Sequence, residues 1–123
     1  MKYLCLVYYD EQAMAAMAEA DWLALNKECI ACGDGMRASG HWIAGEALFP
    51  TASATTVKVR DQQVVISDGP FAETKEQLAG FYLLEARDLN EAISQAQKIP
   101  PARYGSIEIR PVRELPRDNP VSD

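Results

Sequence analysis

The sequence predicts an α+β fold in which two helices cover one face of an antiparallel sheet. Three observations lead to it. Strand-like runs alternate with two helical stretches in the order β-α-β-β-β-α-β. The runs at residues 2–9 and 79–86 carry apolar side chains on both faces, so both faces expect cover. The two helices suffice for only one of those faces.

Each element has its own signature. In residues 2–9, Tyr3, Cys5, Val7 and Tyr9 share one face, and Leu4, Leu6 and Tyr8 the other. Asp10 is placed to cap a short helical turn over residues 11–18. A long helix is predicted over residues 19–39, because Ala18, Trp22, Leu25, Cys29, Cys32 and Met36 step by four and three along one stripe. Gly40 is positioned to end it in the left-handed conformation. Gly33 and Gly35 each weaken the last turns by up to about 1 kcal/mol relative to alanine, so fraying from Gly33 is expected. Residues 41–49 read as a less regular strand and 50–54 as a loop. Residues 55–60 and 64–67 form a hairpin around Asp61-Gln62-Gln63. In residues 79–86, Phe81 and Leu83 face one way, and Tyr82, Leu84 and Ala86 the other. Asp88-Leu89-Asn90-Glu91 opens the second helix with a variant of the capping box. Leu89, Ala92, Ile93 and Ala96 are its expected buried stripe, and Pro100-Pro101 ends it. Residues 106–112 form the last strand, with Ile107 and Ile109 opposite Glu108 and Arg110. With the hairpin as an insertion, this order is that of a ferredoxin-like α+β sandwich. A homodimer packed sheet face to sheet face is the economical cover for the face without helices.

The totals agree with one globular domain. The chain has 123 residues, 48% of them hydrophobic and 24% charged, enough for a core without metal or disulfide staples. A net charge of −6 argues against a nucleic-acid partner. No apolar run approaches a membrane span, and the N-terminal stretch reads as a strand rather than a signal peptide. Three cysteines, an odd count, argue against a disulfide framework and for the cytoplasm.

The segment Asp68-Gly69-Pro70-Phe71-Ala72-Glu73-Thr74-Lys75-Glu76 stands out. Asp-Gly-Pro is turn chemistry, yet Asp68, Glu73, Lys75 and Glu76 crowd charge into a connection that needs only Gly69 and Pro70. Phe71 suggests a loop that packs down. Structured, charge-dense loops are where scaffolds carry function.

Together with Tyr3, Gly80-Phe81-Tyr82, Asp88-Leu89-Asn90-Glu91-Ala92, Pro100 and Ile107-Glu108-Ile109-Arg110-Pro111-Val112, this segment makes the chain resemble the YCII-related, DGPF-domain proteins over nearly its whole length. The resemblance implies a domain over residues 1–116, and the Pro and Asp residues of 117–123 suggest a flexible tail. It also implies a dimeric α+β barrel of two ferredoxin-like protomers. One branch of the family has a proposed His–Asp pair with its histidine in the first helix. Asp21-Trp22-Leu23-Ala24-Leu25 contains none, so that dyad does not carry over. The resemblance also brings a genomic association with sigma factors.

The candidate residues each have a plainer alternative. Cys29-Ile30-Ala31-Cys32 has redox spacing, but it falls within a helix on its apolar stripe, where two packed thiols are the simpler reading. His41 has the chemistry of an acid or base near neutral pH, or merely satisfies a helix end. Asp68 and Glu73 form a candidate carboxylate pair, with Lys75 for an anionic group; otherwise they are a turn cap and a surface cluster. Glu108 and Arg110 point away from the helices, to bind a ligand or to pair within the sheet. Tyr82, with Tyr3, Tyr8 and Tyr9, lines either a pocket in the same interior as Glu108 and Arg110 or a core. No nucleotide, metal or other cofactor motif is present, so none is expected.

Two functions follow. One is a small cofactor-independent enzyme that uses acid–base chemistry on a small polar or aromatic molecule. Asp68, Glu73, Lys75 and His41 would be catalytic, and Arg110, Glu108 and Tyr82 would bind substrate. The alternative is a non-catalytic dimeric ligand-binding or regulatory module in a sigma-factor-linked stress response.

Overall fold

The computed structural model describes residues 1–117. Strand β1 (Lys2–Tyr9) leads into a short helix α1 (Glu11–Ala15) and a long helix α2 (Glu19–Ala38). Strand β2 (Trp42–Ala47), the hairpin β3 (Thr55–Arg60) and β4 (Gln63–Asp68), and strand β5 (Gln77–Glu85) follow. Helix α3 (Leu89–Ala96) and strand β6 (Ser106–Pro111) complete the fold. The main sheet has the order β2-β5-β1-β6, with each neighbouring pair antiparallel. With the hairpin set aside, this is the ferredoxin-like order. The hairpin forms its own two-stranded sheet. The expected tail lies, from residue 118, outside the described residues.

The strand periodicities decide which side is core. Tyr3, Cys5 and Val7 pair with Leu84, Tyr82 and Gly80 on one side and with Pro111, Ile109 and Ile107 on the other, all facing the helices. Cys5, Val7, Leu84, Met36, Ala96 and Ile99 pack there as one buried cluster, with Leu84 and Cys5 fully buried. The opposite face carries Leu4, Leu6, Phe81 and Leu83, each only half-buried, beside Glu108 and Arg110.

The caps behave as their chemistry requires. The Asp10 carboxylate accepts from the backbone N–H groups of Gln12 and Ala13, and that of Asp88 from Glu91. Gly40 takes φ +80° after α2. The hairpin turns on Asp61 (φ 50°) and Gln62 (φ 66°), a two-residue connection that leaves Gln63 in the strand.

Three expectations need correction. Helix α2 does not fray at Gly33 but runs to Ala38, with Gly33 buried beside the Trp42 ring. On α3, Ala92 and Ala96 face the core as expected and Gln95 joins them, but Leu89 and Ile93 are 50% and 44% exposed. Nε2 of His41 lies 3.3 Å from the Glu91 carboxylate at the start of that helix. Phe71 does not pack down: it is 82% exposed. Its loop is held at its first end, where the Gly69 N–H donates to the Ala54 carbonyl and Thr56 Oγ1 to the Gly69 carbonyl.

Candidate functional site

A cavity of about 430 Å³ opens between α2 and strands β1, β2 and β5. Its size falls within the usual range for small-molecule sites. Trp22, Leu25 and Cys29 line it from α2, Tyr9 from β1, Trp42 from β2 and Tyr82 from β5. Two glycines make the space. A Cβ on Gly45 would stand 2.5 Å from the Trp42 ring, and one on Gly80 would stand 2.6 Å from the Glu46 carbonyl oxygen. With no side chains there, the Trp42 indole lies flat against the sheet and meets Tyr82 edge to face, with ring centroids 5.7 Å apart.

Arg37 is the only cation among the lining residues. Its guanidinium lies over the Trp42 ring, 4.3 Å from the centroid. Asp34, one turn earlier, accepts a bond from it at 3.1 Å. A delocalised cation therefore sits on an aromatic wall, suited to the acidic oxygen of a planar molecule.

Burial pushes the Tyr82 hydroxyl well above its ordinary pKa, and the nearby Cys29 and Cys32 thiols push it further. Tyr9 is also raised, by burial first and by Glu11 second. Both phenols are therefore proton donors at neutral pH. Burial likewise raises Cys29 and Cys32, which keeps them as thiols rather than nucleophilic thiolates. This favours the packing reading of that pair. Among the described residues no group of three His, Cys, Asp or Glu is arranged to hold a metal ion.

A second cavity, about 500 Å³, adjoins the first through Tyr9, Trp22, Leu48 and Ala79 and extends to Met14, Met17 and Phe49. Its rim is pinned by Glu11. That carboxylate accepts from the Thr51 N–H and from Thr51 Oγ1, both at 2.8 Å.

The structure distributes the sequence-predicted residues over four places. Tyr82 lines the cavity. Glu108 and Arg110 form an ion pair at 3.7 Å on the face without helices, the within-sheet pairing that was one of their two readings. Asp68, Glu73 and Lys75 are exposed; none lines either cavity, and none makes an ion pair among the described residues. His41 has partners that the sequence reading did not give it. Its Nδ1 is 2.7 Å from Ser39 Oγ, and its Nε2 is 3.3 Å from Glu91 Oε1. Sequence reasoning also missed Arg37. Its signal was the single turn separating it from Gly33 on the face that meets Trp42.

Fold and cavity together define a ferredoxin-like α+β protomer with an aromatic cleft between helix and sheet. The chain belongs to the YCII-related domain family, whose model matches residues 1–116. It is also 34% identical over 114 residues to a protein of Rhizobium meliloti (strain 1021) that is itself named as uncharacterized. The match spans 91% of this chain and 92% of that protein. No helix among the described residues is long and apolar enough to cross a membrane.

Proposed function

We propose that this YCII-related protein binds a small planar molecule with an acidic oxygen in the cavity between α2 and the sheet, and moves a proton on it without a cofactor. The observation that carries this reading is the composition of the cavity: Trp22, Trp42, Tyr9 and Tyr82 form aromatic walls, and Arg37 is the one cation among them. The guanidinium neutralises the ligand oxygen, and the Tyr82 hydroxyl, kept protonated by burial, donates a hydrogen bond where negative charge develops. In this reading the working form is a homodimer in the cytoplasm. The half-buried Leu4, Leu6, Phe81 and Leu83 meet a second copy, and the exposed Asp68, Glu73 and Lys75 belong to the assembly rather than to the cavity.

A fragment screen by crystallography tests it. Aromatic carboxylates and phenols found between Trp42, Tyr82 and Arg37 are the expected result. Hits confined to the segment 68–76, with the cavity empty, would overturn it.

A second reading, a non-catalytic regulatory module, is favoured by the hairpin. Val57, Val59, Val64 and Ile66 share one face and are 58–66% exposed. An isolated two-stranded ribbon is only marginally stable, and such an apolar face suits a protein partner. Pull-down of a heterologous protein that is lost with Val57→Lys and Ile66→Lys, from a chain with no bound fragments, would favour this reading over the first.

A further inference from the structure

Outside the cavity, the C-terminal end of α2 carries an arrangement that the proposed function does not use. Ser39 Oγ is 2.7 Å from Nδ1 of His41, and Nε2 of the same ring is 3.3 Å from Glu91 Oε1. The Glu91 carboxylate is held ionised. The Arg87 N–H donates to it at 3.0 Å, and the Arg87 guanidinium lies 3.3 Å away. In the tautomer with its proton on Nε2, facing the Glu91 carboxylate, the Nδ1 lone pair is left for the Ser39 hydroxyl. The competing acceptor for that hydroxyl, the Met36 carbonyl, is farther off at 3.1 Å. A nucleophile and a base are thus within hydrogen-bond reach, with a carboxylate 3.3 Å from the far ring nitrogen.

This arrangement borders a groove. Ser39 is exposed and lies on a depression of about 460 Å³ between α2 and the segment that follows α3. Gln95 and Lys98 line the same depression. Gln95 is the one buried polar residue of the core, at 7% exposure, yet its amide makes no hydrogen bond among the described residues. No buried side-chain polar atom lacks a partner, so that amide keeps its access to solvent through the groove it lines. Lys98 makes no ion pair within 4.0 Å among the described residues, whereas the neighbouring Arg103 is engaged by Glu28 at 2.8 Å. A cation without an ion pair and an amide without a hydrogen bond therefore line the same groove as the hydroxyl.

We propose that this groove is an esterase-like site in which Ser39 accepts the acyl group of a small ester that carries a carboxylate. Ser39 Oγ forms a bond to the ester carbonyl carbon while its proton passes to Nδ1 of His41. The carbonyl electron pair moves onto oxygen, where Gln95 supplies an N–H donor. The bond to the leaving oxygen then breaks, and that oxygen takes the proton from His41 and departs as an alcohol. Water repeats the sequence, releases the acid and restores Ser39. Glu91 faces the far nitrogen of the imidazole, and Lys98 holds the substrate carboxylate.

The test uses the full chain, an alkyl fluorophosphonate, and two esters: 4-nitrophenyl acetate and 4-nitrophenyl hemisuccinate. The expected results are one phosphonyl adduct, mapped to Ser39 by peptide mass spectrometry, and a stoichiometric nitrophenol burst. Both are lost in Ser39→Ala, and the burst slows by about 10²-fold or more in His41→Gln. The hemisuccinate is preferred, and Lys98→Gln removes the preference. Far-UV circular dichroism confirms that each variant is folded. An unlabelled Ser39 in folded protein, an adduct on another residue, or labelling as fast in His41→Gln as in the native chain would overturn the proposal. None of these outcomes bears on fragment binding in the aromatic cavity, so the two readings fail separately.

Discussion

Nε2 of His41 stands 3.3 Å from the carboxylate of Glu91, which ties the residue before β2 to the first turn of α3. The same carboxylate accepts from the Arg87 N–H and closes the capping box. One side chain therefore joins a helix start to a strand start, and its loss is felt in both.

This gives a pH prediction. Glu91 is held below its ordinary carboxylate range, chiefly by the Arg87 N–H, with smaller contributions from the Arg87 charge and from His41. A carboxylate whose folded pKa is lowered contributes stability that is complete above its unfolded pKa, near 4.3, and is lost as pH falls through its folded pKa. Urea midpoints should therefore fall more steeply between neutral and acid pH in the native chain than in Glu91→Gln. Parallel curves would contradict this.

The opposite limb belongs to Cys5. Burial pushes its thiol from 9.0 up to about 11. Between those values the unfolded chain loses the proton first, so stability falls as pH rises across that window. Cys5→Val should flatten the alkaline limb of the stability profile. The native Cys5 should resist a thiol reagent at pH 8 until the protein is unfolded.

Close backbone approach predicts the most damaging substitution. A Cβ on Gly105 would lie 1.9 Å from the Tyr8 carbonyl oxygen, where β6 begins beside β1. The obstacle is backbone and cannot rotate away, so Gly105→Ala should cost at least the ~1–3 kcal/mol of an overpacked core. Gly35→Ala meets nothing within 4 Å and should be neutral or stabilising. Equal melting temperatures for the two variants would refute the geometry.

The core itself is testable at Leu84, which is fully buried between Tyr3 and Trp42 in the sheet register. Leu84→Ala should lose about 2–5 kcal/mol in denaturant unfolding. Leu83→Ala, on the half-buried opposite face, should lose clearly less in the isolated protomer. It should also weaken self-association, as read by light scattering after size exclusion.

Much of the fold was legible because it rests on local chemistry. The alternation Ile107-Glu108-Ile109-Arg110, the stripe Leu25 to Met36, the caps Asp10 and Asp88, and Gly40 each act within a few residues. The errors arose where tertiary packing overrides local pattern. Leu89 and Ile93 have the right spacing for a buried stripe, but α3 turns Ala92, Gln95 and Ala96 to the core and leaves Leu89 and Ile93 partly exposed. The site was less legible than the fold. The charged loop at 68–76 is conspicuous in sequence because charge is, whereas a cavity arises from what is missing. Gly45 and Gly80 create the space, and neither carries any chemical signal of its own. Arg37 reads as an ordinary helix-end cation until the register of β2 puts Trp42 beneath it.

The most direct test of the cavity as the binding site is a titration with a benzoate-type acid, followed through the indole N–H resonances of Trp22 and Trp42 by two-dimensional NMR. The account predicts saturable shifts at both indoles, and an affinity about tenfold weaker in Arg37→Gln, as expected for loss of one charge-assisted bond. Indoles that stay still while resonances of the loop at 68–76 move, or an affinity unchanged by Arg37→Gln, would contradict it.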